Sequence, residues 1–192
     1  MSESGLDRLL AATGDLVRAT PALRDFVVWP DAPTRNTLEP VKLPVIPLIE
    51  TMAAQPSLVA DAVKAAASLA HWQQTYTEAE VGSDFLNRYG WFELLGPTGH
   101  FLSDTTRAYI AFWGEGLHYP MHLHEAEELY YILAGAAEFH AVGQPSVLVG
   151  PEGTQHHASN QPHAMDTRAE PVLTLVLWRG PGLGGSARMG TA

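Results

Sequence analysis

Between Gly116 and Gly135 the chain reads G-L-H-Y-P-M-H-L-H-E-A-E-E-L-Y-Y-I-L-A-G, and this stretch narrows the possible folds more than any other. His122 and His124 are two residues apart, so on a strand they project to one face. Glu128 follows across a short acidic turn and opens an apolar run that suits a second strand. Two imidazoles and a carboxylate delivered by adjacent strands make part of a metal shell. A His-rich surface hairpin is the bland alternative, and motifs of this kind need their structural context to be decisive.

The surrounding pattern supports a β-rich second half. Trp91 to Leu95 reads as a short strand, Gly96 to Gly99 as a turn, and Thr105 to Trp113 as an alternating strand. Short strands parted by Gly, Pro and Asn turns continue to Arg179, as in an antiparallel barrel or sandwich. The first half follows a different period. Leu6 to Val17 is an amphipathic helix, with Leu6, Leu9, Leu10, Thr13 and Val17 near helical spacing. Pro21 starts another helical turn. Pro40, Pro44 and Pro47 imply an extended connection, Ile46 to Ala54 a helix, and Ser57 an N-cap for a long helix from Leu58 to Gln74. Phe85 to Tyr89 reads as one more helical turn. These shifts divide the chain into a helical extension over residues 1–90, a β-barrel over 91–180 and a flexible Gly-rich tail over 181–192.

Composition limits the functions open to such a barrel. The net charge of −10 argues against nucleic acid as a partner, while an acidic field suits a small cationic ligand. With no cysteine, a metal must be held by His, carboxylate or Tyr. No apolar run reaches membrane-spanning length, and the first ten residues lack a signal-peptide pattern; a cytoplasmic protein is expected. The helical half offers a surface for a homodimer contact.

The spacing G-x5-H-x-H-x3-E-x6-G resembles the first motif of the cupin superfamily at every defined position. The resemblance implies a double-stranded β-helix, or jelly-roll, barrel holding one divalent metal, with His122, His124 and Glu128 at the ligand positions of that motif. The second motif has two candidates. Pro151, Gly153, His156 and Asn160 match its string literally. His163, in Q-P-H-A-M, is preferred because in cupins the ligand opens the strand before the last one, and His163 and Met165 would share a face. His157 would then point away from its neighbour His156.

A closer resemblance covers roughly Trp91 to Gly180. The run from Tyr119 to Tyr131, with Pro162 to Met165 and Leu177 to Gly180, resembles the cupin-type dimethylsulfoniopropionate (DMSP) lyases, above all their Q-type branch with a helical N-terminal half. It implies a carbon–sulfur lyase with His124, Glu128 and His163 on the metal and Tyr130 as a further ligand or the base. His122 is there more a neighbour than a ligand. Tyr119, His122, Tyr131 and Trp178 are the substrate-binding candidates, Tyr119 and Trp178 through cation–π contact with the sulfonium and His122 by a hydrogen bond to the carboxylate. By alternation Tyr130 follows Glu128 to its face, whereas Tyr131 turns outward or into a side layer. Iron, zinc and manganese all suit this donor set. A cupin dioxygenase or isomerase with His122 also on the metal, and a non-catalytic small-ligand cupin, are the competing readings.

Overall fold

The computed structural model describes residues 4–53 and 57–190. Helix α1 (Gly5–Ala19) starts at a capping box in which Ser4 and Asp7 satisfy each other's backbone N–H groups. It buries Leu6, Leu9, Thr13 and Val17, the stripe expected from their spacing. A short α2 (Pro21–Arg24) follows with proline in its first turn, then β1 (Thr34–Arg35) and α3 (Val45–Glu50). Ala54, the expected end of α3, lies outside the described residues. Ser57 caps α4 (Leu58–Ala66) through the Ala60 N–H. The long helix expected to reach Gln74 stops at Ala66 and gives way to a 3-10 turn over Ala67–Leu69. Tertiary pairing overrides helix propensity there. The Ala70 carbonyl accepts from the Val41 N–H, and Gln73 exchanges backbone bonds with Trp91. Two further short helices, α5 (Glu78–Val81) and α6 (Ser83–Asn87), lead into the sheet.

The strands are β2 (Tyr89–Gly96), β3 (Phe101–Leu102), β4 (Arg107–Trp113), β5 (His118–Leu123), β6 (Glu127–Ala141), β7 (Val147–Val149), β8 (Thr154–His157), β9 (His163–Arg179) and β10 (Arg188–Met189). They form the expected cupin-type barrel with a helical N-terminal segment. Its spine is the antiparallel pair β6 and β9. The second half of β9 lies between β4 and the start of β6; its first half lies between β5 and the end of β6. Both strands bend midway, where the register shifts between Ile132 and Ala137. Gly135 allows the bend. Its φ is +73°, and a Cβ there would collide with the Pro171 carbonyl.

Alternation along these strands gives the barrel two apolar faces. Ile110, Phe112, Leu129, Tyr131, Leu133, Leu173, Leu175 and Leu177 point outward into a cluster shared with α1, α3 and α4. Tyr109, Ala111, Trp113, Tyr130, Val176 and Trp178 point inward with Tyr89 and Tyr119. The described part of the tail, residues 181–190, lies against the barrel. β10 pairs with Leu123 and His122 of β5, and Arg107 donates to the carbonyls of Leu183 and Gly185. Backbone bonds hold a stretch whose side chains offer little packing. Among the described residues no helix is long and apolar enough to cross a membrane.

Candidate metal centre and active site

The barrel interior encloses a cavity of about 290 Å³ whose lining includes Tyr109, Trp113, Tyr119, His122, His124, Glu128, Tyr130 and Trp178. His122 lies near the end of β5 and His124 just beyond it; Glu128 is the second residue of β6 and His163 opens β9. All four side chains are buried. Strand register brings them together, since His122 pairs with His163 and Glu128 pairs with Trp178.

Each of the three histidines has its ring orientation set by a backbone carbonyl. The Nδ1–H of His122 donates to Pro120 O, that of His124 to Ala126 O and that of His163 to Gln161 O, at 2.8, 2.9 and 2.8 Å. A carbonyl only accepts, so the proton sits on Nδ1 and the Nε2 lone pair faces inward. His124 Nε2 and His163 Nε2 lie 3.2 and 3.0 Å from Glu128 Oε2. None of these three buried atoms has a hydrogen-bond partner among the described residues. The other carboxylate oxygen, Oε1, is held by Trp178 Nε1–H at 2.7 Å.

Two lone pairs and an anionic oxygen so close together repel unless positive charge sits among them. A divalent cation fits that need, and the carbonyl partners on Nδ1 are the outer support that metal-bound imidazoles require. The same tension shapes proton affinities. Burial is the largest single effect on His124 and works to lower it, but the Glu128 carboxylate and the Ala126 carbonyl together outweigh it and leave the imidazole raised. Burial works to raise Glu128, and His124 with His163 brings it well below the carboxylate range. His122 is driven down to about 3, first by burial and then by His163, and is neutral. Its inward Nε2 is therefore an acceptor. In that tautomer it groups with His124 and His163 as a nitrogen donor that could hold a metal.

Tyr130 is one pleat from Glu128 and lines the cavity. Burial, and then the Glu128 charge, holds its phenol well above the ordinary value. Only nearby positive charge can make it an anion near neutral pH. Tyr119 is at the cavity wall with its ring 4.4 Å from that of His122 and its hydroxyl 3.4 Å from that of Tyr89. Trp178 lies 4.2 Å from the His124 ring. Tyr131 is not part of the site. Its side chain lies on the outer face against the helices, because a residue one step from Tyr130 must face the other way.

His163 and His156 are separated clearly. His156 is exposed and meets Glu127 at 3.4 Å, on the opposite face of β8 from the buried His157. His157, given no role from sequence, is wholly buried. Its ring stacks on His163 at 3.9 Å and 8°, and neither nitrogen has a hydrogen-bond partner among the described residues. It groups with Glu128 and His163 as a possible ligand set. Its pairing with Glu128 across β8 and β6 explains the inward direction, which is opposite to that of His156 as alternation along an extended segment requires. Trp113 and Tyr109 also line the cavity; β4 is buried on both faces, so its sequence does not say which face is the inner one.

The sequence profile of the dimethylsulfoniopropionate lyase family matches residues 11–174. The chain is 39% identical over 186 residues to dimethylsulfoniopropionate lyase DddQ of Ruegeria pomeroyi, covering 93% of this chain and 91% of that one. The crystal structure of that DMSP lyase superposes with a TM-score of 0.91 at 38% identity, over 96% of this chain and 95% of the other. A chain from the crystal structures of the DMSP lyases RdDddP and RnDddQII superposes with a TM-score of 0.94 at 44% identity, over 97% and 98%.

Proposed function

Because the chain belongs to the dimethylsulfoniopropionate lyase family, we propose that its carbon–sulfur lyase chemistry takes place at the centre of His124, Glu128 and His163, with Tyr130 as the base. The reaction is the β-elimination of DMSP to dimethyl sulfide and acrylate. The observation that carries the assignment of the site is the convergence of His124 Nε2, Glu128 Oε2 and His163 Nε2 without a hydrogen bond between them. His124, Glu128 and His163 would hold one divalent transition metal, with the Tyr130 oxygen and His122 Nε2 as neighbouring donors; iron, zinc and manganese all suit this set. When bound, the metal supplies Lewis-acid stabilisation of charge on the substrate carboxylate and favours phenolate over phenol at Tyr130.

Tyr130 takes the proton from the carbon next to the carboxylate. The electron pair released forms the new C=C bond as the carbon–sulfur bond breaks, and the sulfur leaves with its bonding pair as neutral dimethyl sulfide. No general acid is required. The aromatic walls at Tyr119 and Trp178 attract the sulfonium in the ground state, an effect of about 0.5–2 kcal/mol for each well-placed ring. Burial of the whole set excludes water, which sharpens each electrostatic contact.

Tyr130→Phe tests the base. It should lower kcat for dimethyl sulfide release by at least about 100-fold while elemental analysis finds the metal still bound. Near wild-type turnover by this variant removes Tyr130 from the role.

A further inference from the structure

The last described residues form a wall of the cavity, and one side chain pins them there. Arg107 of β4 is buried. Its Nε and Nη2 meet Glu93 Oε2 at 2.8 and 2.7 Å. Its Nη1 donates to the carbonyls of Leu183 and Gly185, both at 2.8 Å. The guanidinium carbon lies 4.8 Å from the Tyr109 ring centre and 5.6 Å from that of Trp178. Trp178 in turn holds Glu128. Farther along, β10 pairs with Leu123 and His122, and the Gly190 N–H donates to Met121 O. Between these two attachments Gly185, Ser186 and Ala187 line the cavity. Gly185 and Ser186 also border an outer recess with His124, Glu125 and Arg188. The strap is thus a partition held at both ends.

We propose that residues 183–189 are a specificity-determining strap that sets the width available to the alkyl groups on sulfur, with Arg107 as its positioning residue. This rests on the lyase reading above. The guanidinium is suited to the task because its planar fork directs donors to Glu93 and to the strap at once. Apart from Leu183, which packs against the inner apolar cluster, the first part of the strap is glycine-rich, and the Arg107 bonds to the Leu183 and Gly185 carbonyls are its polar attachment at that end. A wall fixed in this way discriminates by about 10–200-fold per added methylene, whereas a wall that yields does not.

The test uses the full-length, metal-loaded protein with DMSP and its diethylsulfonio homologue. The wild type should prefer the dimethyl substrate by at least about tenfold in kcat/KM. Removing Arg107 alone would leave the buried Glu93 carboxylate with its Thr98 hydrogen bonds but no counter-charge, so the informative variant is Glu93→Gln with Arg107→Met. It should narrow the preference about tenfold, mostly through KM for DMSP. Trypsin should also cut after Arg188 faster than in the wild type, as followed by mass spectrometry of the loss of residues 189–192. Arg107→Lys keeps a charge beside Glu93 but cannot span both carbonyls, and should fall between the two. Should the double variant fail to fold, Ser186→Leu narrows the cavity instead and should widen the preference about tenfold. A merely structural Arg107 would lower both substrates in parallel and leave their ratio unchanged, which overturns the proposal. So does equal cleavage after Arg188 in the double variant and the wild type. The trypsin comparison needs no substrate, so it tests the strap even where absence of dimethyl sulfide release has already overturned the lyase reading.

Discussion

Three atoms, His124 Nε2, Glu128 Oε2 and His163 Nε2, face one another with no hydrogen bond among them. Removing His163 should therefore weaken metal binding by well over about 100-fold, more than loss of a supporting residue does. His156→Ala should leave it unchanged, because His156 lies at the surface beside Glu127. Elemental analysis of the two variants after identical dialysis checks this, and the reverse order would contradict the ligand assignment. Trp178→Phe removes the hydrogen bond that orients Glu128 and should cost about 10–100-fold in metal affinity, measured by chelator competition. The positions of most of these residues were legible in the sequence. Period-two alternation put Tyr130 with Glu128 and set Tyr131 on the opposite face, and the structure places both so. Tyr131 had entered the substrate-binding candidates through the resemblance alone. The tautomer of His122 was not legible, because it depends on the Pro120 carbonyl folding back onto the ring.

Among the elements, the β6–β9 pair decides whether the site assembles, since it carries Glu128, Tyr130, His163 and Trp178. Its bend requires Gly135. Gly135→Ala puts a methyl against Pro171 O at a positive φ and should destabilise the fold by more than about 2 kcal/mol, read as a lowered denaturant midpoint. At the other end of the chain, Ser4→Ala removes the α1 cap and should cost about 1 kcal/mol. The Asp7 partner in that cap is lowered below its usual value, chiefly by the Ser4 hydroxyl and against a smaller effect of burial. Its contribution is then fully present above about pH 4 and is lost as pH falls through the lowered folded-state value, which denaturation at stepped pH can follow. Helix α1 was readable because its stripe is local. The early end of α4 was not, because it is set by partners at Val41 and Trp91, far away in sequence. The contacts of residues 183–189 were not legible for a similar reason, since their partners are Arg107 and the edge of β5.

On the scale of the whole molecule, one apolar cluster runs from α1, α3 and α4 through β2, β4, β6 and β9. We propose that the helices α1, α3 and α4 act as an outer layer folded with the barrel. Helical circular dichroism and tryptophan fluorescence should then report a single coincident unfolding transition, and earlier loss of the helices would contradict it. The interior face is kept separate from that cluster, which leaves it free to hold charge, aromatic walls and a metal site without weakening the outer core. The net charge of −10 surrounds this interior with a field favourable to a sulfonium. The central claim, a metal-dependent elimination at the His124, Glu128 and His163 centre, is tested most directly by headspace detection of dimethyl sulfide from the purified protein supplied with DMSP. Dimethyl sulfide and acrylate should appear in equal amounts, stop when a chelator strips the metal, and return on reconstitution. Release that continues unchanged after the metal has been removed, or no release from metal-replete protein, would contradict it.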